Sequence, residues 1–258
     1  MDLSVYDTTF LEKIISSRME FTDCKTADDY LCLLGNHSDE LTGLLHQLNN
    51  SYSEFFRNPI TFSFLEQIIF PQIINSAVKN HTGEMRIWSA GCAAGQEPYS
   101  LAILLNDYKN KHQANLSYRI FATDNSVETL EYAGKGIFDL KTIKNTRLEF
   151  AEKYFRQNGE NFTLSPKLKE QVDFSYYDLL DKDSSSPSSA IFGDFDIVMC
   201  CNVLFYYQAE VRQMILQKFL RSLKPGGFLI TGEAETGIVE SFAGFRKYMS
   251  PTAIFVKK

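Results

Sequence analysis

From residue 84 onward short apolar runs alternate with amphipathic ones, and this restricts the possible folds more than any other feature of the chain. "MRIWSA" (85–90), "YRIFATD" (118–124), "FDIVMCC" (195–201) and "GFLITGE" (227–233) read as buried strands. Between them, 96–109, 126–134 and 209–223 repeat apolar residues at helical spacing. Strands separated by helices predict an α/β fold, a doubly wound, mostly parallel sheet covered on both faces. "GFRKYMSPTAIFVKK" predicts an antiparallel edge hairpin at the end of the chain. Within 139–176, "FTLSP" and "EQVDFSYYD" predict the two strands of a small inserted hairpin, placed at 154–176.

The first 58 residues read as a small helical domain and linker, and 59–258 as the sheet domain. Thr9-x-x-Glu12 suggests a capping box, followed by Phe10, Leu11, Ile14, Ile15 and Met19 at helical spacing. Further helices are expected from Thr26, with Gly35 as a stop, and from Ser38. "NNSYSEFFRNP" (49–59) is a linker that Asn58-Pro59 turns. Residues 60–79 are helical, with Pro71 expected to begin a new segment because proline is poorly tolerated inside a helix.

Charge narrows the function classes. Residues 1–50 hold three basic and nine acidic side chains, while the rest of the chain holds 23 of each. A nucleic-acid binder would carry a basic cluster, so nucleic acid is not the expected partner. No apolar run is long enough for a membrane helix, and "MDLSVYDTTF" lacks a signal core, so a cytoplasmic protein is expected. The expected oligomeric state is a monomer. The five cysteines form no C-x-x-C pair, which argues against a disulfide framework or a metal site.

In doubly wound sheets ligands bind beyond the carboxyl ends of the strands, so the residues after each strand are the candidates. After the first comes Gly91-Cys92-Ala93-Ala94-Gly95-Gln96-Glu97. Its glycines suit either a plain tight turn or a backbone that closely approaches a nucleotide-like ligand. Glu97, at the next helix start, suits the helix dipole or a ligand cation. Asp124 suits an N-cap or an acceptor for both ribose hydroxyls. Asp178 in "SYYDLLD" is a loop acid within reach of an adenine edge. Asn202 ends the fourth strand, and one of Tyr206 and Tyr207 beyond it is expected to pack in the core. In "LKPGG" (223–227), Pro225 ends a helix and the glycines allow a tight entry into the sheet.

The glycine loop, the acid after the second strand, the loop after the fourth and LKPGG resemble an S-adenosylmethionine-dependent methyltransferase of the Rossmann-like class. The G-x-G-x-x-G of a nicotinamide dehydrogenase is missing. More narrowly, "FFRNP", "RIWSAGCAAGQEPYSLAILL", "FATDNS", "FDIVMCCNVLFYY" and "LKPGGFLITGEAE", in this order, resemble the CheR family, methyltransferases that esterify glutamates of chemotaxis receptors. The resemblance implies S-adenosylmethionine as cofactor and the cytoplasmic domain of a chemoreceptor or related signalling protein as partner. It implies cofactor contacts at Ser53, Arg57, Ala90, Gly91, Glu97, Asp124, Asp178, Asn202 and Val203. Arg57 and Tyr206 match the residues beside the transferred methyl group, and Ser53 stands where the family prefers Thr.

A glutamate nucleophile is already ionised at neutral pH, so the chemistry needs no general base. His37, His46, His81 and His112 accordingly fall outside the quoted blocks. Three places depart from the family. The N-terminal region is short and acidic rather than basic, Cys201 replaces an Arg, and the familiar G-H-S-E reads Gly232-Glu233-Ala234-Glu235. The insertion lacks a long glycine-rich loop, which predicts recognition independent of a receptor-tail pentapeptide. A methyltransferase acting on an amine is one rival, opposed by Asn202-Val203-Leu204-Phe205 where such enzymes carry an Asn/Asp-Pro-Pro-aromatic motif. A non-catalytic cofactor-binding module is another, favoured by the lost His and Ser and opposed by Arg57, Asn202 and Tyr206.

Overall fold

A computed structural model describes residues 2–48, 52–80, 84–114, 116–190 and 193–258. The first residues of the expected linker, 49–51, and His81 lie outside these. The strands among the described residues are β1 (Met85–Ala90), β2 (Tyr118–Asp124), β3 (Ile137–Asp139), β4 (Phe155–Asn158), β5 (Asn161–Leu164), β6 (Val172–Tyr176), β7 (Phe195–Cys200), β8 (Leu223–Thr231), β9 (Phe245–Lys247) and β10 (Ile254–Lys257). Seven of them form one sheet in the order β6-β2-β1-β7-β8-β10-β9. β6, β2, β1, β7 and β8 pair in parallel, while β10 runs antiparallel to β8 and β9.

β1 and β7 are buried at every position but the second. That is the pattern of central parallel strands covered on both faces, and it explains their nearly unbroken apolar runs. Trp88 is wholly buried on one face, its ring against Tyr177, Phe195 and Phe219. The Phe219 ring comes from the helix Ala209–Ser222. Its neighbour Ile87 faces the opposite layer with Leu101, Ile103 and Leu105 of the helix Gln96–His112. At the β8 end, pairing with β7 begins already at Leu223, and the Lys-Pro-Gly-Gly stretch loops out before Phe228 resumes the register.

Three local expectations are corrected. The first helix, Thr8–Phe21, is capped not by Thr9 but by Asp7, which accepts from the N–H groups of Thr9 and Phe10. Pro71 does not begin a new segment. The chain passes from the helix Pro59–Phe64 through a wide π turn, Leu65–Ile69, straight into Phe70–Asn80. The widened turn, in which the Phe70 N–H reaches back to the Leu65 carbonyl, lies just before the residue that has no N–H to give. Finally, the inserted hairpin is not built from "FTLSP" and "EQVDFSYYD". The first run contains β5, which pairs with β4 and β3 in a separate three-stranded sheet. The second is β6, which pairs in parallel with β2 and belongs to the main sheet.

The N-terminal helices Thr8–Phe21, Ala27–Asn36 and Ser38–Leu48 are joined by one buried polar cluster. Glu40 accepts from the Arg18 guanidinium, with Nε at 2.8 Å, and from the Tyr30 hydroxyl at 2.8 Å. Arg18 holds the Glu40 carboxyl below its ordinary value despite burial.

Candidate active site

The chain runs outward from β1 to β2 and β6, then returns past β1 to β7 and β8. The loops leaving β1 and β7 therefore part in opposite directions, and the crevice between them is where such sheets bind ligands. A cleft of about 1080 Å³, its open mouth included, lies there. Nine of the ten expected site residues line it: Ser53, Arg57, Gly91, Glu97, Asp124, Asp178, Asn202, Val203 and Tyr206. The tenth, Ala90, is fully buried at the end of β1 behind them.

Backbone geometry shapes the floor. Gly91 adopts φ +71° and Gly95 φ +91°, values that disfavour any side chain. A Cβ on Gly91 would come within 2.8 Å of Val203 Cγ2, so a methyl group there would close the gap between the β1 and β7 loops. The N–H groups of Gly91 and Cys92 both donate to the Thr123 carbonyl, tying this loop to the end of β2. Asp124 completes the tie. Its Oδ2 accepts from the Ala93 N–H at 3.0 Å and its Oδ1 from the Ser126 N–H at 3.0 Å. Asp124 is thus not the cap of the next helix. Ser126 is, accepting from the Thr129 N–H. Burial raises the Asp124 carboxyl, and the N–H donors oppose that rise.

Glu97 enters the cleft from the first turn of the helix Gln96–His112 and accepts from the Ser89 hydroxyl at 2.7 Å. Burial pushes its carboxyl up to about 7, against the pull of the Ser89 and Cys201 donors and the Arg57 charge. Across the cleft stands Arg57, placed by its two neighbours. Phe55 sinks fully into the core against Phe138 and Phe155, and Phe56 packs on Phe62 and Phe150. Phe56 takes φ +51°, a strained value for an aromatic residue, and its N–H donates to the Ser100 hydroxyl. This twist leaves Arg57 exposed in the cleft, donating to the Tyr52 carbonyl. The same Arg57 charge counteracts the rise that burial gives the Tyr206 hydroxyl.

Two important residues escaped the reading of the sequence. Tyr6, from the first turn of the chain, lines the cleft and stacks on Tyr207, with ring centroids 5.6 Å apart. Nothing local marks it, since its partner is two hundred residues away. Glu235 is fully buried, and its two carboxylate oxygens accept the N–H groups of Gly232, Asn202, Val203 and Leu204 at 2.7–2.9 Å. It thereby sets the Asn202 loop, where Asn202 holds φ +63°. Its signal was the acid retained at the end of Gly232-Glu233-Ala234-Glu235. Asp178, by contrast, uses Oδ1 on the Leu180 N–H and still faces the cleft.

Comparison with known proteins gives the family. Residues 51–253 match the family described as CheR methyltransferase, SAM binding domain. A chemotaxis protein methyltransferase of Borreliella burgdorferi is 30% identical over 239 residues, covering 92% of this chain and 83% of its own. Chemotaxis protein methyltransferase 1 of Pseudomonas aeruginosa is 36% identical over 185 residues, covering 70% of this chain and 64% of its own. The Escherichia coli chemotaxis protein methyltransferase is 34% identical over 212 residues, covering 80% and 68%. The matched span takes in the glycine turn, the Asp124 tie, the Asn202 loop and its Glu235 clamp, and this chain belongs to the CheR methyltransferase family.

Proposed function

We propose that the chain transfers the methyl group of S-adenosylmethionine to glutamate carboxylates of a chemoreceptor or related signalling protein, forming methyl esters. The convergence of Arg57, Glu97 and Tyr206 on one cleft carries this reading, because it sets an acid suited to a cationic cofactor in the same space as a guanidinium suited to an incoming carboxylate. The cleft also fits the cofactor. Asn202 Oδ1 is buried with no hydrogen-bond partner among the described residues, an acceptor waiting for a donor. Gly91 leaves the backbone open to close approach, and a half-buried carboxylate raised to about 7 suits a ligand that brings a positive charge.

When bound, the cofactor supplies an electrophilic methyl group on a sulfonium. The protein's part is to bind, orient and dry the site. Glu97 would hold the cationic methionine end, Asp124 the ribose hydroxyls and Asp178 the adenine edge. Asp124 keeps lone pairs beyond its two backbone bonds for that purpose. Arg57 offers a fork of donors that orients an incoming carboxylate. A pairing too tight would blunt the nucleophile, so Arg57 positions it rather than activates it. Tyr206 offers a neutral hydroxyl. Because a carboxylate meets a sulfonium, charge disappears along the reaction, and a site poor in water favours it.

The test uses cofactor labelled on its methyl group, incubated with the protein and with membranes and lysate of its own cells. Protein-bound label released by mild alkali means carboxyl esters and supports the proposal. Alkali-stable label points to an amine acceptor. Absence of label, with cofactor binding demonstrated and a control enzyme active, points to a non-catalytic module.

A further inference from the structure

Tyr206 sits on a three-residue turn, Leu204–Tyr206, that is too short to hold itself. Its two sides are clamped from elsewhere. On the N–H side, Glu235 takes the donors of Val203 and Leu204. On the carbonyl side the partners come from Arg212 and from the beginning of the chain. Arg212 donates to the Leu204 and Phe205 carbonyls at 3.2 and 3.3 Å and to Asp7 Oδ2 at 3.0 Å. The Asp7 N–H donates to the Tyr206 carbonyl at 2.8 Å, and the Gln208 N–H donates to the Val5 carbonyl at 2.9 Å. Between these bonds Tyr6 and Tyr207 pair as an antiparallel bridge. The ring of Tyr206 is held between Phe10, at 4.7 Å, and Phe205, at 4.4 Å.

We propose that residues 5–10 form a positioning strap for Tyr206, fixing its hydroxyl in the cleft and so setting the rate of methyl transfer. The inference rests on the reading of Tyr206 as a residue beside the transferred methyl group. Phe10 is the strap's point of action. It packs on the Tyr206 ring without itself lining the cleft, so it acts through the tyrosine and not on the cofactor. Phe10 also belongs to the helix Thr8–Phe21, which Arg18 and Glu40 bind to the helix Ser38–Leu48. The strap therefore gives the acidic N-terminal helices a mechanical connection to the transfer site through Phe10, beside the one made where Leu48 and Arg57 reach the cleft.

The test compares Phe10→Ala, Phe10→Leu, Arg212→Lys and Tyr206→Phe, with Phe10→Ala also made in the Tyr206→Phe background. Two quantities are read on the full chain: alkali-labile methylation of membranes from its own cells at saturating S-adenosylmethionine, and the dissociation constant of S-adenosylhomocysteine by calorimetry. Melting temperatures check that each variant folds. Phe10→Ala is expected to slow transfer about tenfold, with cofactor affinity held within about twofold, because a side chain displaced by about 1 Å suffices for such a loss. Phe10→Leu should restore most of the rate. Arg212→Lys, which keeps the charge but not the fork, should repeat the Phe10→Ala pattern and stands in for it if that variant does not fold. In the Tyr206→Phe background the effect of Phe10→Ala should shrink to less than about twofold, the sign of a coupled pair. An undiminished loss in that background overturns the strap, and so does a loss of affinity in step with the rate. If Tyr206→Phe alone transfers methyl groups at full rate, the reading of Tyr206 fails first and the strap falls with it.

Discussion

Glu97 and Arg57 divide the electrostatic work of the cleft, and each makes a separable prediction. Burial raises the Glu97 carboxyl from its ordinary 4.5 to about 7. Below that pH the empty site holds a neutral acid that cannot pair with a cation. Cofactor affinity should therefore climb between about pH 6 and about pH 8 and then level off, and Glu97→Gln should be weaker and flat across the same range. Calorimetric titrations at a series of pH values read both curves. Linkage gives a second sign. A carboxyl whose folded value lies above its unfolded value destabilises the ligand-free fold increasingly as pH rises from about 4.5 to about 7. Glu97→Gln should consequently be more stable than the wild type at pH 8, by at most about 3 kcal/mol, and melt at a higher temperature, with the gap closing as pH falls. On the proposal that Arg57 orients the incoming carboxylate, Arg57→Ala should cut turnover by roughly 100-fold while moving cofactor affinity less than about threefold. Equal losses in rate and affinity would show that Arg57 holds the cofactor rather than the incoming carboxylate.

Glu235 decides how the elements meet. One carboxylate holds the end of β8 to the loop after β7 through four N–H groups. Its removal in Glu235→Ala would leave those donors buried and unpaired, and each such group costs about 1–3 kcal/mol. The expected result is a drop in melting temperature together with loss of cofactor binding, and Glu235→Gln, which keeps one acceptor oxygen, should fall between. A variant that melted like the wild type but lost binding would remove the clamp role and leave a direct ligand contact. At this scale the sequence was legible where burial is symmetric. β1, β2, β7 and the second half of β8 announce themselves because strands covered on both faces are apolar at nearly every position. It was less legible where a partner decides the outcome. β6 is short and half exposed, and nothing in "VDFSY" says whether it pairs with β5 or with β2. Asp7 competes with Thr9 for the same cap, and only the backbone turn chooses between them. Pro71 reads as a break because a widened turn before it is invisible to a 3.6-residue pattern. The same limit hid Tyr6, while the glycine turn, Asp124 and Asn202 could be named because each stands directly behind a legible strand.

On the scale of the whole molecule, the segment between the helical start and the sheet is not a passive linker. Phe55 is wholly buried and Phe56 nearly so, and their rings meet residues from β3, β4 and the helices Pro59–Phe64 and Leu148–Tyr154. Deleting two such side chains removes core, and each Phe→Ala change at a site of this kind costs about 3–5 kcal/mol, as much together as most domains possess. A fragment of residues 59–258, which begins at the domain boundary expected where Asn58-Pro59 turns the chain, should therefore fail to unfold cooperatively. A fragment of residues 52–258 keeps both rings and Arg57, and loses instead the Tyr6 stack, the Asp7–Arg212 ion pair and the bridge to Tyr207. Those contacts lie at the rim of the cleft, so this fragment should melt cooperatively at a reduced temperature. Calorimetric scans of the two fragments beside the full chain measure the difference directly. Cooperative melting of 59–258 at the temperature of 52–258 would mean that the pocket left by Phe55 and Phe56 closes on its own. The aromatic pair would then serve only to aim Arg57. Failure of 59–258 alone makes Phe55 and Phe56 part of the sheet domain's core, with the cleft-lining Arg57 built onto its edge.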